Sequence, residues 1–195
     1  MPLNPLSKPG KKLMRNHAFF ATVSLLALWL AVSPQPLWAQ KATLDLASRK
    51  PGPSGLPLPR FVSLKADEVN VRRGPGWDHA VAWVFRRIGL PVEVIAEHDV
   101  WRQVRDSEGA TGWVLGSLLS GRRTVLIAPW KTDKRTIDLY EEADKANSVK
   151  AKLAPGVLGD VQKCDGGWCR IEAGGVSGYI TQDLLWGAYP GEAFN

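Results

Sequence analysis

Catalytic chemistry has little to draw on in this sequence. Three histidines and two cysteines stand among 195 residues, and no Gly-x-Ser-x-Gly or His-Glu-x-x-His pattern occurs. His17 lies in a segment expected to be removed, and a zinc site built on Cys164 and Cys169 would need two more ligands at suitable spacing. The acid pairs Asp67-Glu68 and Glu141-Glu142 are sequence neighbours, whose side chains point to opposite faces of a strand. They read as solvated loop charges, not as a general acid and base. An enzyme, a metal and a cofactor are therefore not expected. Charge of one sign is also scarce once the N-terminus is set aside. Net charge is +6, but Lys8, Lys11, Lys12 and Arg15 precede residue 40, where no acid occurs, which leaves +2 for the rest. Residues 60–127 hold ten Lys/Arg against eight Asp/Glu, and 128–195 hold eight against ten. That balance lacks the basic stripe of a nucleic-acid binder. No apolar run after residue 40 is long enough to span a bilayer.

The N-terminus reads as an address. Its basic residues precede the apolar run Ala18–Val32, then Pro34-Gln35-Pro36 and Leu37-Trp38-Ala39. That order of regions predicts a secretory signal peptide over 1–39, cleaved after Ala39. A retained anchor is the other reading, but the run falls short of the ~20 residues a spanning helix needs. A soluble periplasmic or secreted protein, without stable membrane insertion, is expected. Residues 40–59 follow as a Pro/Gly-rich linker, with Pro51, Pro53, Pro57 and Pro59 favouring an extended or polyproline-like spacer.

What the chain has in quantity is alternation, and it has it twice. Val92–Val114 carries short alternating strands punctuated by turns, and Gly159–Ile180 repeats the design. Trp101 matches Trp168, Val104 matches Ile171, and Gly112-Trp113-Val114 matches Gly178-Tyr179-Ile180. A unit recurring after about 67 residues is a duplicated small β domain. The first copy spans 60–123 and the second 124–195 with a C-terminal tail. Strands are expected over Phe61–Arg72, His79–Phe85, Val92–Glu97, Trp101–Arg105 and Gly112–Leu115, and one helical turn over Ser117–Leu119. In the second copy they are expected at Ile137–Tyr140 and Ser148–Leu153. Gly74 and Gly76, flanking Pro75, are read as positions free to take positive φ in a sharply turned loop.

Asn70-Val71-Arg72-x-Gly74-Pro75-Gly76, Trp101-x-x-Val104, Gly112-Trp113-Val114 and Leu118-Leu119 together resemble the bacterial Src-homology-3-like domain family. The resemblance implies an all-β protein of two tandem small Src-homology-3-like barrels. It further implies an exported module that binds cell-wall peptidoglycan or peptides. The second copy departs from the pattern: Glu141–Asn147 replaces the Gly-Pro-Gly loop. Its Leu185–Pro190 tail and paired cysteines resemble a proteobacterial type with duplicated exported domains.

Cys164 and Cys169 flank Asp165-Gly166-Gly167-Trp168, a tight turn that sets them opposite each other on adjacent strands. A redox or metal pair is one reading; a structural disulfide suits an exported protein better. At the same offset the first copy has Glu97 and Arg102, an opposite-charge pair across the same hairpin. As an exposed ion pair it would be worth about 0–1 kcal/mol, against about 2 kcal/mol for the disulfide.

Nine tryptophans are many for this length. Trp101, Trp113, Trp168 and Tyr179 occupy repeated strand positions and are expected in the barrel cores. Trp77 follows Gly76 in a loop and has no strand partner. In Src-homology-3 folds the ligand groove lies beside this loop, so the resemblance places Trp77, Arg72, Arg73 and Trp101 in a groove of the first barrel. Two function classes follow. One is an exported, non-catalytic module recognising peptidoglycan or a peptide or protein ligand through that groove. The other is a structural scaffold of two docked barrels with no small-ligand site.

Overall fold

The computed structural model describes residues 48–133 and 135–195; the segment read as a signal peptide lies outside the described residues. Chain order begins with a short hairpin, β1 (Lys50–Pro51) and β2 (Pro57–Leu58). The first sheet comprises β3 (Arg60–Leu64), β4 (Val69–Arg72), β5 (Val81–Phe85), β6 (Pro91–His98), β7 (Trp101–Arg105), β8 (Thr111–Leu115) and β9 (Leu119–Ser120). The second comprises β10 (Thr124–Ile127), β11 (Ile137–Tyr140), β12 (Val149–Leu153), β13 (Leu158–Asp165), β14 (Trp168–Ala173), β15 (Val176–Thr181) and β16 (Leu185–Trp186), with β17 (Ala193–Phe194) added against β13. One 3₁₀ turn precedes β9, at Gly116–Leu118, and its counterpart precedes β16, at Gln182–Leu184.

The two sheets share one topology. The first is ordered β5-β4-β8-β7-β6-β3-β9 and the second β12-β11-β15-β14-β13-β10-β16, strand for strand. Even the irregularities recur. Register shifts fall between Val94 and Ala96 in β6 and between Val161 and Lys163 in β13. Others fall at Val71/Arg72 in β4 and at Leu139/Tyr140 in β11. Such bulges bend and twist a strand, which curls each sheet toward a barrel. The chain is thus two tandem small barrels, as expected. The strand expected over Phe61–Arg72 is in fact two, β3 and β4, broken by the turn at 65–68. β10 went unrecognised.

Inward positions follow the two-residue period of a strand. Val69 and Val71 of β4, Val92 and Val94 of β6, Val104 of β7 and Val114 of β8 are completely buried. Leu139, Ile171 and Ile180 fill the same places in the second copy. The cores are therefore aliphatic. Of the four ring positions assigned to the core, only Trp101 is buried, and it belongs to neither core cluster. Trp113, Trp168 and Tyr179 are half-buried; each lies one strand position away from an inward residue, Val114, Cys169 or Ile180, on the opposite face.

The recurring glycine of the repeat has a steric cause. A Cβ on Gly112 would lie 2.4 Å from Val71 Cγ1 and 3.1 Å from the carbonyl oxygen of Arg72. On Gly178 it would lie 2.6 Å from Leu139 Cγ and 2.7 Å from the carbonyl oxygen of Tyr140. In both barrels the strand crosses its neighbour at a spacing no side chain tolerates.

The hairpins that revealed the repeat close differently. Cys164 and Cys169 are directly paired across β13 and β14 and form a disulfide. Glu97 and Arg102 are paired across β6 and β7, with Arg102 Nε 3.1 Å from Glu97 Oε1. That ion pair is not exposed: the Glu97 side chain is fully covered, and Arg60 also reaches it at 2.7 Å. The cover is the Pro/Gly-rich segment, which is not an extended spacer. From residue 50 it folds into the β1–β2 hairpin, and both the backbone N–H and the hydroxyl of Ser54 donate to Glu97 at 2.8 Å. Reducing the disulfide is expected to lower the stability of the second barrel by about 2 kcal/mol, since it closes a very short loop. Urea titrations with and without reductant measure this; identical midpoints would show that the bond contributes nothing.

A seam of aromatic and polar groups joins the barrels. Phe61 of β3 meets Trp186 of β16 edge-to-face at 5.0 Å and Tyr189 at 4.5 Å. Trp186 Nε1 donates to the carbonyl of Pro91 at 3.1 Å, and the Thr124 hydroxyl to that of Gly89 at 2.6 Å. The Tyr189 hydroxyl donates to Glu93 Oε1 at 2.8 Å, while Arg105 Nε donates to Glu93 Oε2 at 2.8 Å. Among the described residues, no helix is long and apolar enough to cross a membrane.

Candidate ligand-binding groove

The loop between β4 and β5 is the place to start. Because Val69 and Val71 point into the core, Asn70 and Arg72 stand on the outer face. Arg72 turns back over the loop. Its Nη1 donates to the carbonyls of His79 at 2.7 Å and Trp77 at 3.3 Å. The same guanidinium carbon lies 5.2 Å from the centre of the Trp77 ring, a cation–π distance. Arg72 is thus a staple across residues 73–80, and the Arg73 N–H to Ala80 carbonyl bond of 3.1 Å closes the loop's neck.

Neither Gly74 nor Gly76 adopts positive φ, contrary to expectation. Their role is space. A Cβ on Gly74 would sit 2.5 Å from the His79 imidazole, and one on Gly76 2.3 Å from Asp78 Oδ1. The glycines leave room for these side chains to lie against the loop backbone.

Trp77 is 67% exposed. It meets Trp101 edge-to-face, with ring centres 5.1 Å apart and planes at 71°. Trp101 itself is 5% exposed and forms the floor. Together with Asn70, Arg72, Leu115 and Leu118 the two rings line a recess of about 140 Å³. The structure therefore brings Arg72, Trp77 and Trp101 together. Arg73 is exposed beside them but does not line the recess. Asn70, Leu115 and Leu118 were not singled out. Asn70 and Leu118 carried a signal nonetheless, since both belong to the motifs that carried the resemblance. Among the described residues, the hydrogen-bond and ring partners of Arg72, Trp77 and Trp101 belong to the first barrel, so this corner stands apart from the docking seam.

The second barrel holds a different recess at the matching place. Tyr140, equivalent to Arg72, meets Trp168 edge-to-face at 5.7 Å. A hollow of about 200 Å³ lies beside Tyr140, with Lys131, Asp138, Lys145 and Leu184 on its walls. No ring from residues 141–147 stands over it, because that loop contains none.

Duplicated seven-stranded sheets with one topology define a tandem small-barrel protein of the Src-homology-3-like class. The family model of the bacterial SH3 domain matches residues 65–121 and again 133–187. The chain belongs to the bacterial SH3 domain family. Two solved structures similar to it are NlpC2 and NlpC1 from Trichomonas vaginalis. NlpC2 is 15% identical over 66% of this chain and 48% of its own, with a TM-score of 0.30. NlpC1 is 14% identical over 70% and 48%, also with a TM-score of 0.30. The chain thus spans about half the length of these structures. No curated protein matches it.

Proposed function

We propose that the chain is an exported, non-catalytic binding module whose first barrel takes peptidoglycan, or a peptide or protein ligand, in the groove under Trp77. The observation that carries this reading is Trp77 itself. An indole left two-thirds exposed forgoes the burial that large apolar side chains normally find. Yet it is held in one orientation by the Trp101 edge and the Arg72 staple. A rigid exposed ring above a buried one makes an L-shaped apolar corner, onto which a sugar face or a peptide side chain can stack. Arg73 has no acceptor among the described residues and stands ready for a ligand carboxylate. The export segment and the closed Cys164–Cys169 pair support a periplasmic or secreted location.

The docked seam favours the second reading, a rigid scaffold with no small-ligand site. Sedimentation with purified peptidoglycan separates the two. The groove reading expects the mature chain to pellet, and Trp77→Ala to weaken binding by roughly thirtyfold, an effect of about 2 kcal/mol typical of a central aromatic anchor. Because Trp77 lies outside both cores, its thermal midpoint should not move. Failure of the wild type to pellet, with peptide libraries also unbound, would leave the scaffold.

A further inference from the structure

A further cavity lies away from Trp77. It is a cleft of about 480 Å³ where the β1–β2 hairpin, the first barrel and the second barrel meet. Four arginines line it: Arg49, Arg60, Arg102 and Arg123. Among the described residues lining or facing it, the acids that engage these arginines are two. Glu97 lies covered behind Arg60 and Arg102 and engages both. Glu192 accepts a two-pronged contact from Arg123, at 3.0 and 2.8 Å. Four guanidinium groups against two carboxylates leave two positive charges uncompensated.

Among the described residues, Arg49 is the least engaged of the four. The Arg49 guanidinium carbon lies over the Tyr189 ring, 3.7 Å from its centre, and none of the guanidinium N–H groups has an acceptor among the described residues. Stacking fixes the plane of the fork while leaving its donors at the rim unused. Arg123 is held in place: besides Glu192 its Nη2 donates to the Gly187 carbonyl at 3.0 Å, and its buried Nε alone lacks a partner among the described residues. The rest of the lining is apolar, chiefly Leu56, Phe61, Val62 and Leu119. One wall is β9, the last strand of its sheet, so its outer edge has no neighbouring strand. An unpaired edge accepts an extended backbone.

We propose that this cleft is a second binding site, specific for an acidic peptide segment. A carboxylate meets Arg49 in the positively charged cleft, neighbouring apolar side chains rest on Leu56 and Phe61, and the backbone runs along β9. Guanidinium forks match carboxylates in geometry and form charge-assisted bonds with them. The apolar floor and the free edge distinguish a peptide from a bare inorganic anion.

Calorimetric titration of the full mature chain tests this, with the peptide acetyl-Leu-Glu-Leu-Glu-amide, its Leu-Gln-Leu-Gln counterpart and inorganic phosphate as probes. The acidic peptide should bind at least about tenfold more tightly than the amide peptide, one lost charge-assisted bond accounting for such a factor. Arg49→Gln should reduce that binding by about tenfold while moving the thermal midpoint only slightly, because among the described residues its contact with the fold is the stacking on Tyr189. Trp77→Ala should leave it unchanged, which separates this site from the groove. Equal affinity for acidic and amide peptides, undiminished binding by Arg49→Gln, loss in Trp77→Ala, or phosphate binding as tight as the peptide would each overturn the proposal.

Discussion

Replacing Glu97 by alanine is expected to destabilise the first barrel by about 3 kcal/mol, the scale set by breaking a covered ion pair from one side. The carboxylate is the meeting point of Arg60, Arg102 and the Ser54 backbone and hydroxyl. Without it two mostly covered guanidinium groups lose their counter-charge, and the β1–β2 hairpin loses its anchor. The pH dependence gives a sharper form of the prediction. Burial alone would raise the Glu97 carboxyl; the Ser54 N–H, the Arg60 guanidinium and the Ser54 hydroxyl outweigh it and hold the pKa at about 2, below the ordinary 4.5. A carboxyl with a depressed folded-state pKa contributes stability that is present above its unfolded value and disappears as pH falls. The Glu97 contribution, about 3 kcal/mol by linkage, should thus be complete above pH 4.5 and lost on descending toward pH 2. Glu97→Gln keeps the shape and removes the titration. Urea titrations of wild type and variant should diverge at pH 7 and converge near pH 2. A stability difference that is the same at both ends would show that the charge is not what holds the hairpin.

Glu97 also shows where sequence reasoning reached and where it stopped. The pairing of Glu97 with Arg102, opposite the pairing of Cys164 with Cys169, follows from counting residues either side of a turn, and both pairs stand in register. Local periodicity and turn chemistry fixed the hairpins because the relevant partners lie within a few residues. The cover over Glu97 did not follow, because Ser54 is 43 residues away and its segment reads as a spacer by composition. Distance in sequence hid the seam for the same reason: Trp186 and Tyr189 reach back 95 and 96 residues to Pro91 and Glu93. The arginine cleft is more scattered still, assembled from residues 49 to 192. The aromatic core was misjudged for another cause. Repetition at a strand position marks a shared environment, not its side of the sheet, and the inward face had already been taken by Val104, Val114, Ile171 and Ile180. For the groove, three of the four residues expected converge, because the loop's short span limits where Trp77 can go.

The seam predicts how the tandem unfolds. A barrel of about 60 residues buries only about 60% of the surface its unfolded chain exposes and is marginal alone, so each copy should depend on the other. Trp186→Ala removes the edge contact with Phe61 and the Nε1 bond to Pro91. It is expected to cost about 3 kcal/mol, the lower end for deleting a packed tryptophan, because this ring is half-buried. More tellingly, one cooperative transition should become two. Hydrogen exchange read separately on β4–β8 and β11–β15 measures this, since the two strand sets should exchange together in the wild type and apart in the variant. Alkali should act on the same joint. Burial, then the charge of Glu93 and the bond to it, push the Tyr189 hydroxyl well above its ordinary 10.0. A group whose folded-state pKa is raised contributes stability that is intact below the unfolded value and lost as pH rises past it. The wild type should therefore hold its single transition below pH 10 and lose coupling above it, whereas Tyr189→Phe should show no such dependence. Barrels that exchange independently in the wild type at neutral pH would show that the seam is contact without coupling.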